Sequence, residues 1–135
     1  MHRRSWTEFK GVAKRREDSI RAAINPIGEF IFDLAAFQKM GEPQAIKLLY
    51  ERSTRTVGLS PVHPDEPNAI LVRHRYGRSQ RVVRSVPFLR ANGIEVPMTL
   101  RFMYPAIEGN ILTLDLRTAI PSGKGRWNRG VAKPK

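Results

Sequence analysis

The pattern of apolar positions becomes regular at Ile20. Ile20, Ala22 and Ile24 stand at every second position, the period of a half-buried strand. Asn25-Pro26-Ile27-Gly28 then reads as a turn, because proline presets φ at the second position and glycine closes. Glu29 to Phe32 resumes as a strand, so the spacing predicts a hairpin. Asp33 suits a helix N-cap, with Leu34, Phe37 and Met40 as the apolar side. Gly41 suits the position after the C-cap, and Pro43 blocks continuation. Ala45 to Tyr50 is predicted as a strand with Ile46, Leu48 and Tyr50 on one face. Glu51 to Thr54 turns, and Arg55 to Ser60 returns with Val57 and Leu59. Residues 60–68 carry three prolines and read as a linker.

The second half follows the same plan. Asn68 to Tyr76 is predicted as a strand, Gly77-Arg78-Ser79-Gln80 as a turn and Arg81 to Arg84 as a strand. Ser85 can cap a short helix through Phe88 to Asn92, with Pro87 tolerated in the first turn and Gly93 ending it. Pro97 to Tyr104 alternates Met98, Leu100, Phe102 and Tyr104. Ala106 to Asn110 turns, and Ile111 to Leu116 closes the domain. Gly41 and Gly93 lie 52 residues apart, and that offset sets Ile46 on Met98, Leu48 on Leu100 and Tyr50 on Phe102. The expectation is an α+β, mostly β domain: one small barrel over residues 20–120, built from two β-hairpin–short helix–β-hairpin units at 20–61 and 68–117. Single hairpins cannot bury both faces, so the units should interlock. A basic N-terminal arm (1–19), anchored by Trp6, Phe9 and Val12 as a short helix or a crossing strand-edge arm, precedes the domain. A disordered, cation-rich tail (121–135) follows it.

Charge changes the picture most. The 135 residues hold 24 Lys and Arg against 12 Asp and Glu, a net charge of +12. Such a balance is the electrostatic footprint of a nucleic-acid binder, because cations displace condensed counterions from a polyanion. The charge is uneven: residues 1–22 carry +4, residues 23–65 carry −1, residues 66–120 carry +4 and residues 121–135 carry +5. Every cation between 66 and 120 is arginine, whose planar fork grips phosphate or a guanine edge. Arg73 and Arg75 share a strand face, Arg78 and Arg81 flank the turn, and Arg84 follows. Together they form the candidate nucleic-acid patch, weighed against a merely charge-protected strand edge. Lys14, Arg15 and Arg16 before the domain, and Lys124, Arg126 and Arg129 after it, are candidate arms for phosphate. Trp127 is a candidate base-stacking residue, weighed against docking on its own domain.

No cysteine is present, which removes a disulfide framework, a thiol nucleophile and a cysteine zinc site. His63 beside Asp65 lacks a third ligand, and His74 is expected to pack beside Val72 and Tyr76. No metal site, cofactor, catalytic constellation or small-molecule substrate is expected, so the reading is not an enzyme. No apolar run approaches a membrane span, and a cytoplasmic protein is expected.

Gly28, Met40-Gly41 and Leu59-Ser60-Pro61 fall where the AbrB/SpoVT/MazE superfamily of swapped-hairpin transcription factors has its turn glycine, its helix-ending "leucine-glycine" and its "leucine-x-proline". The first unit resembles that superfamily over about 40 residues. Two units in one chain is similar to the MraZ arrangement and to a group of uncharacterised small bacterial proteins. The resemblance implies DNA binding, as a transcriptional regulator or antitoxin, and is compatible with a homodimer. The first unit is nearly neutral, so the contacts are expected from the second unit and the tails. The alternatives are an RNA- or ribosome-associated protein and a non-enzymatic structural or adaptor protein of a phage or mobile element.

Overall fold

The computed structural model describes residues 19–75, 77 and 79–122. Two antiparallel sheets face each other. The chain runs β1 (Ala22–Ile24), β2 (Glu29–Asp33), α1 (Leu34–Lys39), β3 (Ala45–Glu51), β4 (Thr56–Val62), β5 (Ile70–Leu71), β6 (Arg73–Arg75) and β7 (Gln80–Arg84). It continues through α2 (Val86–Ala91), β8 (Leu100–Phe102), β9 (Ala106–Glu108), β10 (Ile111–Asp115), a 3₁₀ turn (Leu116–Thr118) and β11 (Ala119–Pro121). The first sheet has the order β11-β8-β1-β2-β7-β6, and the second β5-β3-β4-β10-β9. The mostly β expectation holds, but the sheets stay open and do not close into a barrel.

The 52-residue repeat is visible at the helices, atom by atom. Ala36 N–H donates to Asp33 Oδ1 (3.0 Å), and Phe88 N–H donates to Ser85 Oγ (3.2 Å). Glu42 N–H closes on Phe37 O, and Ile94 N–H on Leu89 O, both at 2.9 Å. This reciprocal closure needs a left-handed residue between, which Gly41 (φ 92°) and Gly93 (φ 66°) provide. The two units meet where β2 pairs with β7, Phe30 opposite Val83 and Phe32 opposite Arg81, and again where β4 pairs with β10 and β1 with β8.

Beyond α2 the repeat breaks. In the first unit β3 pairs with β4 through seven residue pairs, from Ala45–Val62 to Glu51–Thr56. The corresponding strand of the second unit, β8, leaves for the other sheet and lies between β1 and β11. Its place beside β10 is taken by β9, which sequence reasoning read as a turn. The alignment of Leu48 with Leu100 and of Tyr50 with Phe102 therefore fails, because those pairs lie in different sheets. Two further expectations are corrected. The strand from Asn68 to Tyr76 breaks at Val72, whose N–H turns to Gln44 O (2.9 Å) and carries the chain from one sheet to the other. The linker starts after Val62 and not at Ser60, since Pro61 still pairs with Ile46. Ala119–Pro121 adds an edge strand that no periodicity signalled, and Ser122 N–H donates to Thr99 O, so the first residues assigned to the tail belong to the sheet.

Between the sheets lie Phe30, Phe32, Val57, Leu59, Leu112 and Leu114, all buried. Phe88 of α2 bridges the layers, edge-on to Phe30 at 6.2 Å and to Tyr50 at 6.3 Å. Each such aromatic pair contributes about 0.5–1.5 kcal/mol beyond its buried area.

The β1–β2 turn is docked on the start of α2. Gly28 has φ 86°, its carbonyl accepts Ser85 N–H (3.0 Å), and a Cβ there would stand 2.9 Å from Val86 Cγ2. Gly109 has a similar φ of 68° but open space around it. Gly28→Ala should cost roughly 2–3 kcal/mol, from backbone strain and the clash together, and Gly109→Ala only about 1 kcal/mol. Urea unfolding of the two variants checks the difference; equal losses would remove the docking of this turn.

Candidate nucleic-acid interface

Strand alternation decides which arginines reach solvent. In an antiparallel sheet, cross-strand partners share a face. Phe30, Phe32 and Val83 point inward, so Ile31, Val82 and their partners point outward. The outer row runs Ile120, Arg101, Ala23, Ile31, Val82, Arg73 across the six strands. Beside it, Glu29 pairs with Arg84 on one side, and Asp33, Gln80 and Arg75 line up on the other. Arg21, one position before β1, lies on this face by the same alternation and donates its N–H to Asp33 Oδ2 (3.1 Å).

Among the described residues this face therefore collects Arg21, Arg73, Arg75, Arg84 and Arg101, with Glu29 and Asp33 as its acids. Both acids are engaged: Glu29 accepts from Asn25 Nδ2 (2.8 Å), and Asp33 caps α1. The outward residues of the second sheet are close to balance, Lys47 against Glu51, Glu108 and Asp115, with Arg117 forked onto Asp115. Four strand spacings separate Arg101 from Arg73, about 19 Å at 4.8 Å each, against a major groove about 12 Å wide. The two ends of the row can thus reach phosphates on both sides of a groove.

The predicted patch is split by this geometry. Arg73 and Arg75 do share a face, and Arg84 joins them, its Nε donating to Ile27 O (2.8 Å). Arg81 does not. It pairs with Phe32 on the inner side and is 8% exposed, with its guanidinium 4.5 Å above the Phe37 ring and Nη1 bonded to Gln80 O. It is a structural cation and leaves the list of surface contacts. Arg78, Lys14, Arg15, Arg16, Lys124, Arg126, Arg129 and Trp127 lie outside the described residues. Arg101, which sequence reasoning passed over, joins the face; the missed signal was that β8 leaves its expected hairpin. His74, expected to be packed, is exposed on the edge strand β6.

His63 is exposed, accepts Asp65 N–H at Nδ1 (3.1 Å) and stands 3.6 Å from the Asp65 carboxylate, a local turn. Among the described residues no three His, Asp or Glu side chains come together as metal ligands. A groove of about 440 Å³ is lined by Lys47, Leu48, Ile70, Ser85 and Phe88 among others. Its hydroxyl already accepts Phe88 N–H as the helix cap. Comparison with family models, curated proteins and solved structures finds no match.

Two outcomes follow from these side chains. Arg81→Ala should lower stability by about 1–2 kcal/mol through lost packing and cation–π contact, whereas Arg73→Ala should stay within about 0.5 kcal/mol; thermal unfolding compares them. Asp115 accepts hydrogen bonds from Arg117 Nε, Nη2 and N–H, and the side-chain bonds above all hold its carboxyl below the usual range. A depressed folded value means the contribution is present above the unfolded carboxylate range and is lost as pH falls through the folded value. Asp115→Asn should therefore show a shallower stability loss between about pH 5 and pH 2. A loss as steep as in the unaltered chain would contradict this.

Proposed function

We propose that this protein binds nucleic acid through the outer face of its six-stranded sheet, holding phosphates with Arg73, Arg75, Arg84, Arg101 and Arg21. The observation that carries the reading is the uneven charge of the two outer faces: five arginines against two acids on one, and near balance on the other. A solubility charge has no reason to collect on one face. The face offers planar donors on rigid strands, which suit backbone contacts that set position more than base contacts that set sequence. The two helices among the described residues are only six residues long and pack inward through Ala36 and Leu89, so neither is presented as a recognition helix.

Duplex DNA is the favoured ligand. Support comes from the resemblance of Gly28, Met40-Gly41 and Leu59-Ser60-Pro61 to the AbrB-like pattern, and a role in transcriptional regulation or as an antitoxin follows from the same resemblance. The finer expectation of a tandem barrel fits the shared helix motifs and β2–β7 pairing but not the open sheets. A second reading, a structural or adaptor protein, has one specific observation in its favour: Leu49 and Leu71 are 42% and 49% exposed on strands of the other sheet. The described residues contain no helix long and apolar enough to cross a membrane.

Anisotropy titrations against random duplex DNA and structured RNA, each at two salt concentrations, test the proposal. Binding should fall steeply with salt. Arg73→Ala and Arg101→Ala should each reduce the log–log salt slope by about 1, one phosphate contact apiece. Lys47→Ala on the opposite face should leave it unchanged. No binding at low salt, or equal effects from both faces, would overturn the proposal, and a preference for RNA would move it to the RNA-associated alternative.

A further inference from the structure

The outer face of the second sheet keeps apolar side chains in water and has a pattern that matches itself. Val57, Leu59, Leu112 and Leu114 point inward, so alternation sends Lys47, Leu49, Gly58 and Thr113 outward. Leu49 on this face is 42% exposed. The outward residues stand in rows across β3, β4, β10 and β9. One row is Leu49, Gly58, Thr113 and Ala106. The next is Lys47, Ser60, Ile111 and Glu108, with Ser60 beside Ile111 one step beyond the Leu59–Leu112 pair. The first row is large at one end and small at the other, and the second carries a cation at one end and an acid at the other. Gly58 leaves a shallow notch within it, since a Cβ there would stand 3.3 Å from Ile111 Cγ2 and 3.5 Å from Leu49 Cβ. The Thr113 hydroxyl already donates to Ala106 O (3.3 Å), so an apolar contact over it leaves that donor paired.

Complementary groups at opposite ends of one row are what an isologous contact needs, because there residue i meets residue j and j meets i. From this we infer that two copies of this chain stack face to face through their second sheets, about a two-fold axis that runs parallel to the strands midway between β4 and β10. That axis sets Lys47 over Glu108 of the second copy and Leu49 over its Ala106, each twice, and Thr113 over its Gly58. Large side chains thus meet small ones, and opposite charges meet at both rims. Lys47 and Glu108 are three strand spacings apart, about 14 Å, so each lies about 7 Å from the axis. Aligned sheets cross at about 30°, which displaces such a pair by about 4 Å, within the reach of a lysine side chain. Charge selects this face over the other. Stacking on the first sheet would set five arginines and two acids against the same set, whereas the second sheet is close to balance. The contact is four short strands wide, at the small end of specific interfaces, so the dimer dissociates in the micromolar range. Its two basic faces then point outward on opposite sides, where each could hold its own stretch of nucleic acid. That consequence rests on the nucleic-acid reading; the dimer itself does not.

Sedimentation equilibrium of the full-length, nuclease-treated protein at physiological salt reads the association. The expected result is a mass that rises with concentration from that of one chain, 15.4 kDa, toward twice that value. Lys47→Glu sets two like-charge pairs in place of the opposite ones, and so does Glu108→Lys. Each alone should weaken the dimer at least about ten-fold. The double variant exchanges the charges and should return the dissociation constant to within about three-fold of the unaltered chain, which also separates a lost contact from a lost fold. A monomer at every concentration, a dimer that neither single change weakens, or a double variant as weak as the single ones would each overturn the inference. The measurement contains no nucleic acid, so its outcome is independent of whether the basic face binds one.

Discussion

The pairing of β2 with β7 is the constraint on which the rest of the structure depends. It is the longest of the seams between the two units, five residues on each side against four where β4 meets β10, and its register assigns the neighbouring side chains to a face. With Phe30 opposite Val83, the large apolar residues enter the inter-sheet core and Glu29, Ile31, Val82 and Arg84 turn outward. A slip by one residue would exchange the two sets, burying Arg84 and exposing Phe30 and Phe32. The cost of that exchange is what specifies the register. Arg81 is the one charge that this register sends inward. It is tolerated because the guanidinium lies flat over Phe37 and its stem packs with the apolar side.

The same period-two logic builds the basic face. Arg73 and Arg75 on β6, Arg84 on β7 and Arg101 on β8 come from three strands, and sheet order brings Arg101 to the others. The arginine cluster from Arg73 to Arg84 marks part of that face in the sequence, but Arg21 and Arg101 lie far from it. The runs that do stand out, at Lys14 to Arg16 and in the C-terminal tail, lie outside the described residues. Local charge density and the geometry of the domain thus report on different parts of the molecule.

The parts of the fold legible in the sequence were those set by short-range chemistry. Asp33, Gly41, Ser85 and Gly93 mark helix ends through hydrogen bonds that span only three to five residues, and a cap reads the same in any fold. Gly28 was legible for the same reason. What was not legible depends on partners distant in sequence. The departure of β8 to the first sheet cannot be inferred from its alternation, which is equally good for either sheet. The short strands β5, β9 and β11 are two or three residues long, below the length at which alternation is a signal. Within the candidate site, the shared face of Arg73 and Arg75 was legible from alternation, whereas Arg84 was grouped with them by clustering. Arg81 was not, because its strand face was counted from the turn and not from the buried Phe32 opposite it.

Amide chemical shifts of the isotope-labelled protein, followed as a short DNA duplex is added, test the central claim most directly. The account predicts that perturbations concentrate on the outer residues of the first sheet, around Arg73, Val82, Arg84 and Arg101, and leave Lys47, Leu49 and Thr113 unmoved. Perturbations centred on the second sheet, or none at concentrations that saturate a basic nucleic-acid binder, would contradict it.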